Sequence, residues 1–226
     1  MQAKSHRHVL AHKENQGPMA KVPARRFEPP TGVPPRNRKV GIHEARKIII
    51  ETAAARLSEL TIGSLTLERI AASAGMHKMT ICRAFGSRDK FAQVFSEWLC
   101  EREAVLWRDA LASVGESHQD RLRVFFNTLS IHALNDSYPG WQLHLLASSF
   151  PAPDHPVRKE LDLHRENFRS VIYRLAGESQ ISAPRVATDA LVLLWDGMLM
   201  PLLSMPERER NLEAVLLLVE RITCEG

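Results

Sequence analysis

The chain has 226 residues, 44% hydrophobic and 25% charged, with a net charge of +4, which is enough for one sizeable domain or for a small domain joined to a larger one. Three cysteines, Cys82, Cys100 and Cys224, form an odd set without CxxC or metal-ligand spacing, which argues against a disulfide framework and for free thiols in a reducing, cytoplasmic setting. The basic N-terminus has no apolar stretch behind it, and the most apolar segments are broken by Asp196 and Pro201, so neither a secretory signal nor a transmembrane span is expected.

Charge is unevenly placed: +7 over residues 1–40, +3 over 41–92 and −6 over 93–226. Clustered Lys and Arg gain from displacing counterions on a phosphate backbone, so the first ninety residues suit an anionic partner, unless they are simply a solvated basic tail. Residues 1–40 have no hydrophobic periodicity and carry Pro18, Pro23, Pro29, Pro30, Pro34 and Pro35, which predicts a disordered arm, with Met19 a plausible alternative start. Arg36, Arg38 and Lys39 stand just before the first helix, where a flexible basic segment can touch phosphates or enter a minor groove.

From His43, apolar residues at three- and four-residue spacing (Ile48, Ile49, Thr52, Ala53, Leu57, Leu60) predict an amphipathic helix ending near Ile62 and Gly63. Thr66 is placed to cap a short helix that carries Leu67, Ile70, Ala71 and Ala74 and halts at Gly75. A third helix is expected from about Lys78 to Phe85. A fourth, capped by Ser87 with Asp89 in its first turn, is expected to run to about Leu111. Further helices are predicted at roughly 118–135, 138–149, 155–177, 183–204 and 207–224, punctuated by prolines that several times fall in a first helical turn. No stretch alternates like a strand, so the fold class is all-α.

The segment Thr66 to Phe85 is the informative one. Two short helices joined by a tight turn need a small residue on the inner face of the first and a residue tolerant of positive φ in the turn, and Ala71 and Gly75 meet those needs. Ile70, Met76, Ile81 and Phe85 would fill a small core, leaving Lys78, Thr80, Cys82 and Arg83 for the outward face of the second helix. A short cationic helix with an open N-terminus suits the major groove, although such helix pairs also occur in proteins that never meet DNA.

The run from about Ala45 to Trp98 resembles the DNA-binding domain of the TetR family of transcriptional regulators. Thr66, Ile70-Ala71, Ala74-Gly75, Thr80, Arg83, Phe85, Ser87-Arg88-Asp89 and Phe91 stand where that pattern wants them, over about a quarter of the chain. The resemblance implies a three-helix helix-turn-helix domain over 41–92 and a larger helical effector-binding and dimerisation domain over 93–226. It implies that Thr66 and Arg88 touch phosphates, that Lys78, Met79 and Thr80 face bases or backbone, that His77 lies near the cap, and that Lys90 is a further phosphate candidate. The chain departs from the pattern at Cys82, where the family usually has Tyr, at Ala84, where it often has His or Tyr, and at Met79, a commonly small position. A thiol is a weak donor of little area, so binding should lean on Lys78, Arg83, Arg88 and the arm.

In the C-terminal part, the resemblance implies two late helices that pair with their symmetry mates. Leu191, Leu194, Met198 and Leu202 form one apolar stripe, with Gly197 permitting close backbone approach, and Leu212, Val215, Leu216, Val219 and Ile222 form another. These stripes serve either a partner subunit or the core of the monomer. Trp107, Phe125, Trp141, His144, Phe168, Tyr173 and Trp195 are the candidates to edge an effector pocket, core packing being the ordinary role of each. The expected activity is therefore that of a homodimeric regulator, by family default a repressor, that holds a palindromic double-stranded operator and leaves it on binding a small molecule. The alternative is a helical adaptor of the same fold that no longer reads DNA. No nucleophile, phosphate loop or metal pair accompanies Glu160 and His164, so neither an enzyme nor a cofactor is expected.

Overall fold

A computed structural model describes residues 41–57, 66–113, 120–135, 137–200 and 205–224. Those residues form nine α-helices and no strand: α1 (Ile42–Leu57), α2 (Leu67–Ser73), α3 (Lys78–Phe85), α4 (Arg88–Ala112), α5 (Arg121–Ala133), α6 (Pro139–Ser149), α7 (Pro156–Glu178), α8 (Pro184–Met198) and α9 (Met205–Cys224). None is long and apolar enough to cross a membrane. The basic arm with Arg36, Arg38 and Lys39, the expected end of the first helix at Leu60 to Gly63, and Leu202 lie outside the described residues.

Local chemistry accounts for most helix ends. Thr66 Oγ1 accepts from the Arg69 N–H at the start of α2, and Ser87 Oγ accepts from the Lys90 N–H at the start of α4. Helices α6, α7 and α8 each begin on a proline, whose missing N–H has no helical partner to lose at that position. Gly75 and Gly86 take φ of +65° and +83°, and around Gly86 there is open space, so conformation rather than crowding calls for glycine there. The helix expected over 183–204 stops at Met198. Leu199 turns out of it and Met200 precedes Pro201, a position biased away from helical dihedrals.

Two apolar cores result. In the first, Ile49, Ala53, Ile70, Ile81 and Phe85 meet Phe91, Phe95 and Leu99 of α4, each fully buried Ile or Phe contributing about 1.5–3 kcal/mol. Phe85 meets Phe91 edge-on at 5.1 Å and Phe91 stacks on Phe95 at 5.7 Å, tying α3 to α4. The second core gathers Trp107, Leu122, Phe125, Phe126, Ile172, Leu191 and Trp195 with α9. Helix α4 runs through both cores. A division at residue 92 falls inside this helix, and the first core continues past it to Leu143 and Leu146 of α6 and Val157 and Leu161 of α7.

The late-helix stripes are placed differently from the partner-facing expectation. Leu191, Val215 and Val219 are fully buried, and Met198 and Leu212 nearly so, all packed within this one chain. Their side chains are taken up by the core of the single chain. Of the expected set, Leu194 is exposed and Leu216 half-buried, while the outward apolar positions are Val186 (70% exposed) and Leu193 (66%) on α8 and Leu217 on α9. The inward stripe is the more apolar of the two faces because it fills the core, which is why periodicity alone selected it.

Candidate nucleic-acid interface and effector cavity

Helices α2 and α3 meet through small residues. Ala71 and Ala74 are buried at the crossing, and the Met76 N–H reaches the Ala71 carbonyl at 2.8 Å across the turn at Gly75. Ile70, Ile81 and Phe85 point inward and Met76 is half-buried, as the spacing predicted. The outer face of α3 then presents Lys78, Met79 (62% exposed) and Arg83, with Thr80 and Cys82 half-buried beside them. His77 is the N-terminal flanking residue of α3 but its side chain caps nothing, so the first-turn N–H groups gain no side-chain acceptor. Thr66, Arg88 and Lys90 are exposed at the starts of α2 and α4.

Three features of this surface were not anticipated. Lys78 pairs with Glu68 of α2, and this contact lowers the Glu68 pKa and raises that of Lys78, keeping both charged. The Lys90 ammonium donates to Gln93 Oε1 at 3.0 Å. Ala84 is buried against α1, where Arg46 Nε donates to the Ala84 carbonyl at 2.6 Å and the guanidinium lies over the Phe85 ring, so the absence of a polar side chain at position 84 removes nothing from the outer face. Glu68 carried a local signal, an acid in the first turn of a helix, whereas the reach of Arg46 across thirty-eight residues carried none.

Between α4, α6, α7 and α8 lies a cavity of about 300 Å³. Of the sequence candidates, Trp107, His144, Phe168 and Trp195 line it. Phe125 does not: it is fully buried in the core behind Phe168. Trp141 stands one residue outside the α6 stripe of Gly140, Leu143, His144 and Ala147 that faces the cavity, and Arg208 covers its ring instead. Tyr173 lies half exposed on α7, away from the cavity.

The closed end of the cavity is polar. Glu103, 5% exposed, accepts from the Tyr138 hydroxyl at 2.6 Å through one oxygen and meets His164 Nε2 at 2.8 Å through the other. Burial and the neighbouring Glu103 carboxylate push the Tyr138 pKa well above 10.0, so the phenol remains a donor. Trp107 stacks on the His164 ring at 4.4 Å and leans on Phe168 at 5.0 Å. A Cβ on Gly140 would collide with Glu103 Oε1 and the Tyr138 ring, so only glycine leaves room for this hydrogen bond. At the open end Arg165 pairs with Asp196, His144 lies 3.5 Å from the same carboxylate, and Arg158 pairs with Asp162 at 2.9 Å. Glu103, Tyr138 and His164 come from three separate stretches of chain, so no sequence spacing foretold their meeting.

The cavity and the helix-turn-helix are joined by a contact between α6 and α1. Gln142, buried on α6, donates to the Ala54 carbonyl of α1 at 2.8 Å, and α1 in turn holds α3 through Arg46.

No protein-family model and no curated protein sequence matches the chain. Solved structures do resemble it. A TetR-family transcriptional regulator of Streptomyces coelicolor superposes with a TM-score of 0.71 at 22% identity, over 81% of this chain and 96% of that one. One from Agrobacterium tumefaciens gives 0.67 at 13% identity over 80% and 99%, and a TetR regulatory protein of Rhodobacter sphaeroides 0.64 at 19% over 78% and 97%. The chain therefore has the all-helical fold of the TetR-family transcriptional regulators along most of its length.

Proposed function

We propose that this chain, with the fold of the TetR-family regulators, is a sequence-specific DNA-binding transcriptional regulator that acts as a homodimer. The observation that carries the reading is the outer face of α3, where Lys78, Met79 and Arg83 are exposed, with Thr80 half-buried beside them, behind a helix start that His77 does not cap. Thr66 and Arg88 flank that face at the starts of two further helices, where phosphates are favoured, and His77, Cys82 and Lys90 complete the surface. One recognition helix reads only a few base pairs, so two-fold pairing on a palindromic operator supplies the remaining contacts. The exposed faces of α8 and α9, with Val186, Leu193, Leu194 and Leu217, are the surface offered to the second copy.

The protein is a repressor in this reading, and a small molecule in the cavity releases it from DNA. Release requires only that the ligand bind better to a conformation whose recognition helices no longer match the operator. Helix α6, which lines the cavity and holds α1 through Gln142, supports that coupling.

Fluorescence anisotropy with promoter DNA from beside the gene, at two salt concentrations and against a shuffled duplex, tests the reading. The native duplex should bind more tightly. Lys78→Ala should weaken it and flatten the slope of log affinity against log salt by about 0.9, the loss of one phosphate contact. Equal, weak binding to both duplexes that ignores Lys78→Ala would point instead to an adaptor of this fold that no longer reads DNA.

A further inference from the structure

The carboxylates around the cavity outnumber its guanidinium groups. Its lining includes three carboxylates, Glu103, Asp162 and Asp196, against two guanidinium groups, Arg158 and Arg165, and two imidazoles, His144 and His164. Each arginine is already matched at the open end, Arg158 by Asp162 and Arg165 by Asp196. The carboxylate without an arginine partner is Glu103, the most deeply buried of the three, and its two hydrogen-bond partners are a phenol and the imidazole of His164. A buried charge is costly unless something of opposite sign meets it.

The walls next to that carboxylate are aromatic. Trp107, Phe168 and Trp195 form a connected row, with centroid separations of 5.0 Å and 6.1 Å, and ring faces attract cations through their quadrupoles. Each Glu103 oxygen uses one of its two lone-pair directions on Tyr138 or His164, which leaves acceptor capacity for an incoming N–H. An anionic ligand meets the opposite situation. At Arg158 and Arg165 it meets guanidinium groups already paired with Asp162 and Asp196, and at the closed end it faces Glu103.

From this geometry we propose that the effector is a small organic cation with an aromatic or flat apolar body, its ammonium-type group held by Glu103 and its body stacked along Trp107, Phe168 and Trp195. The proposal rests on the reading of the cavity as an effector site, and names the chemical class that site takes.

Three indole probes of similar size isolate charge from shape: tryptamine (a cation), tryptophol (neutral) and indole-3-acetate (an anion). Calorimetric titration of the full chain should show tryptamine binding about tenfold more tightly than tryptophol, with indole-3-acetate the weakest. Glu103→Gln should bring tryptamine down to the level of tryptophol and leave tryptophol unchanged. A second variant leaves the buried cluster intact: Arg165→Gln at the half-exposed mouth removes a positive charge and should tighten tryptamine. Indole-3-acetate binding as tightly as tryptamine, no binding by any of the three, or a tryptamine preference indifferent to both substitutions would overturn the proposal. Operator anisotropy on the same preparations separates the two readings. Specific DNA binding without a cation preference defeats the ligand class alone, and a cation preference without specific DNA binding defeats the regulator reading.

Discussion

At the scale of single residues, Gly140 and Tyr138 expose the structure to the sharpest tests. Gly140→Ala would place a methyl group in the contact between Glu103 and Tyr138, and overpacking of a closed site costs about 1–3 kcal/mol. The melting temperature should fall accordingly, and a change indistinguishable from zero would mean that the cluster is loosely packed. Tyr138 makes a prediction about pH. Its folded-state pKa is raised above the ordinary 10.0, so it contributes stability that is fully present below pH 10 and is lost as pH rises through the folded value. Denaturant midpoints taken from pH 8 to 11 should therefore decline for the native chain, and Tyr138→Phe should lack that part of the decline while being less stable at pH 8, where Glu103 has lost a donor. Parallel alkaline profiles would refute the assignment. Residue types alone pointed to part of the cavity wall, since Trp107, His144, Phe168 and Trp195 line it. They missed Glu103, because a glutamate within a helix is ordinarily a solvated one and only the fold shows it buried.

At the scale of elements, what the chain reveals in advance is what local chemistry decides. Caps at Thr66 and Ser87, prolines opening α6, α7 and α8, and the turn at Gly75 act over one or two turns of chain, so the helices could be placed within a few residues. Where two faces of one helix are both apolar, local pattern cannot say which turns inward. That choice depends on the helices packed against it, and α8 shows the consequence, with Leu191 and Met198 inward and Val186 and Leu193 outward. The same limit hid the link between the cavity and α3, a pair of side-chain hydrogen bonds to carbonyls, Gln142 to Ala54 and Arg46 to Ala84. Helix α6 reaches α1 through the first of these, so Gln142→Leu should leave ligand binding near native while reducing the extent to which bound ligand releases DNA. Anisotropy with and without saturating ligand measures that coupling directly. Full release by the Gln142→Leu variant would show that the coupling travels by another contact.

At the scale of the whole molecule, the two apolar faces of α8 allow folding and assembly to be tested apart. Leu191→Ala opens a hole in a fully packed core and should cost about 2–5 kcal/mol in unfolding free energy. Leu193→Asp alters a side chain that is two-thirds exposed in the single chain, so a monomer should fold with it at little cost. If the outer faces of α8 and α9 join two copies, that carboxylate is buried without a partner at the interface, and sedimentation should show a monomer where the native chain sediments as a dimer. Operator binding tests the consequence for function. A monomer holds one half-site, so Leu193→Asp should weaken binding to the full palindrome far more than binding to an isolated half-site duplex. Equal losses on both duplexes would mean that the substitution damaged the recognition domain itself, and a dimer surviving Leu193→Asp would move the subunit contact to another face of the molecule.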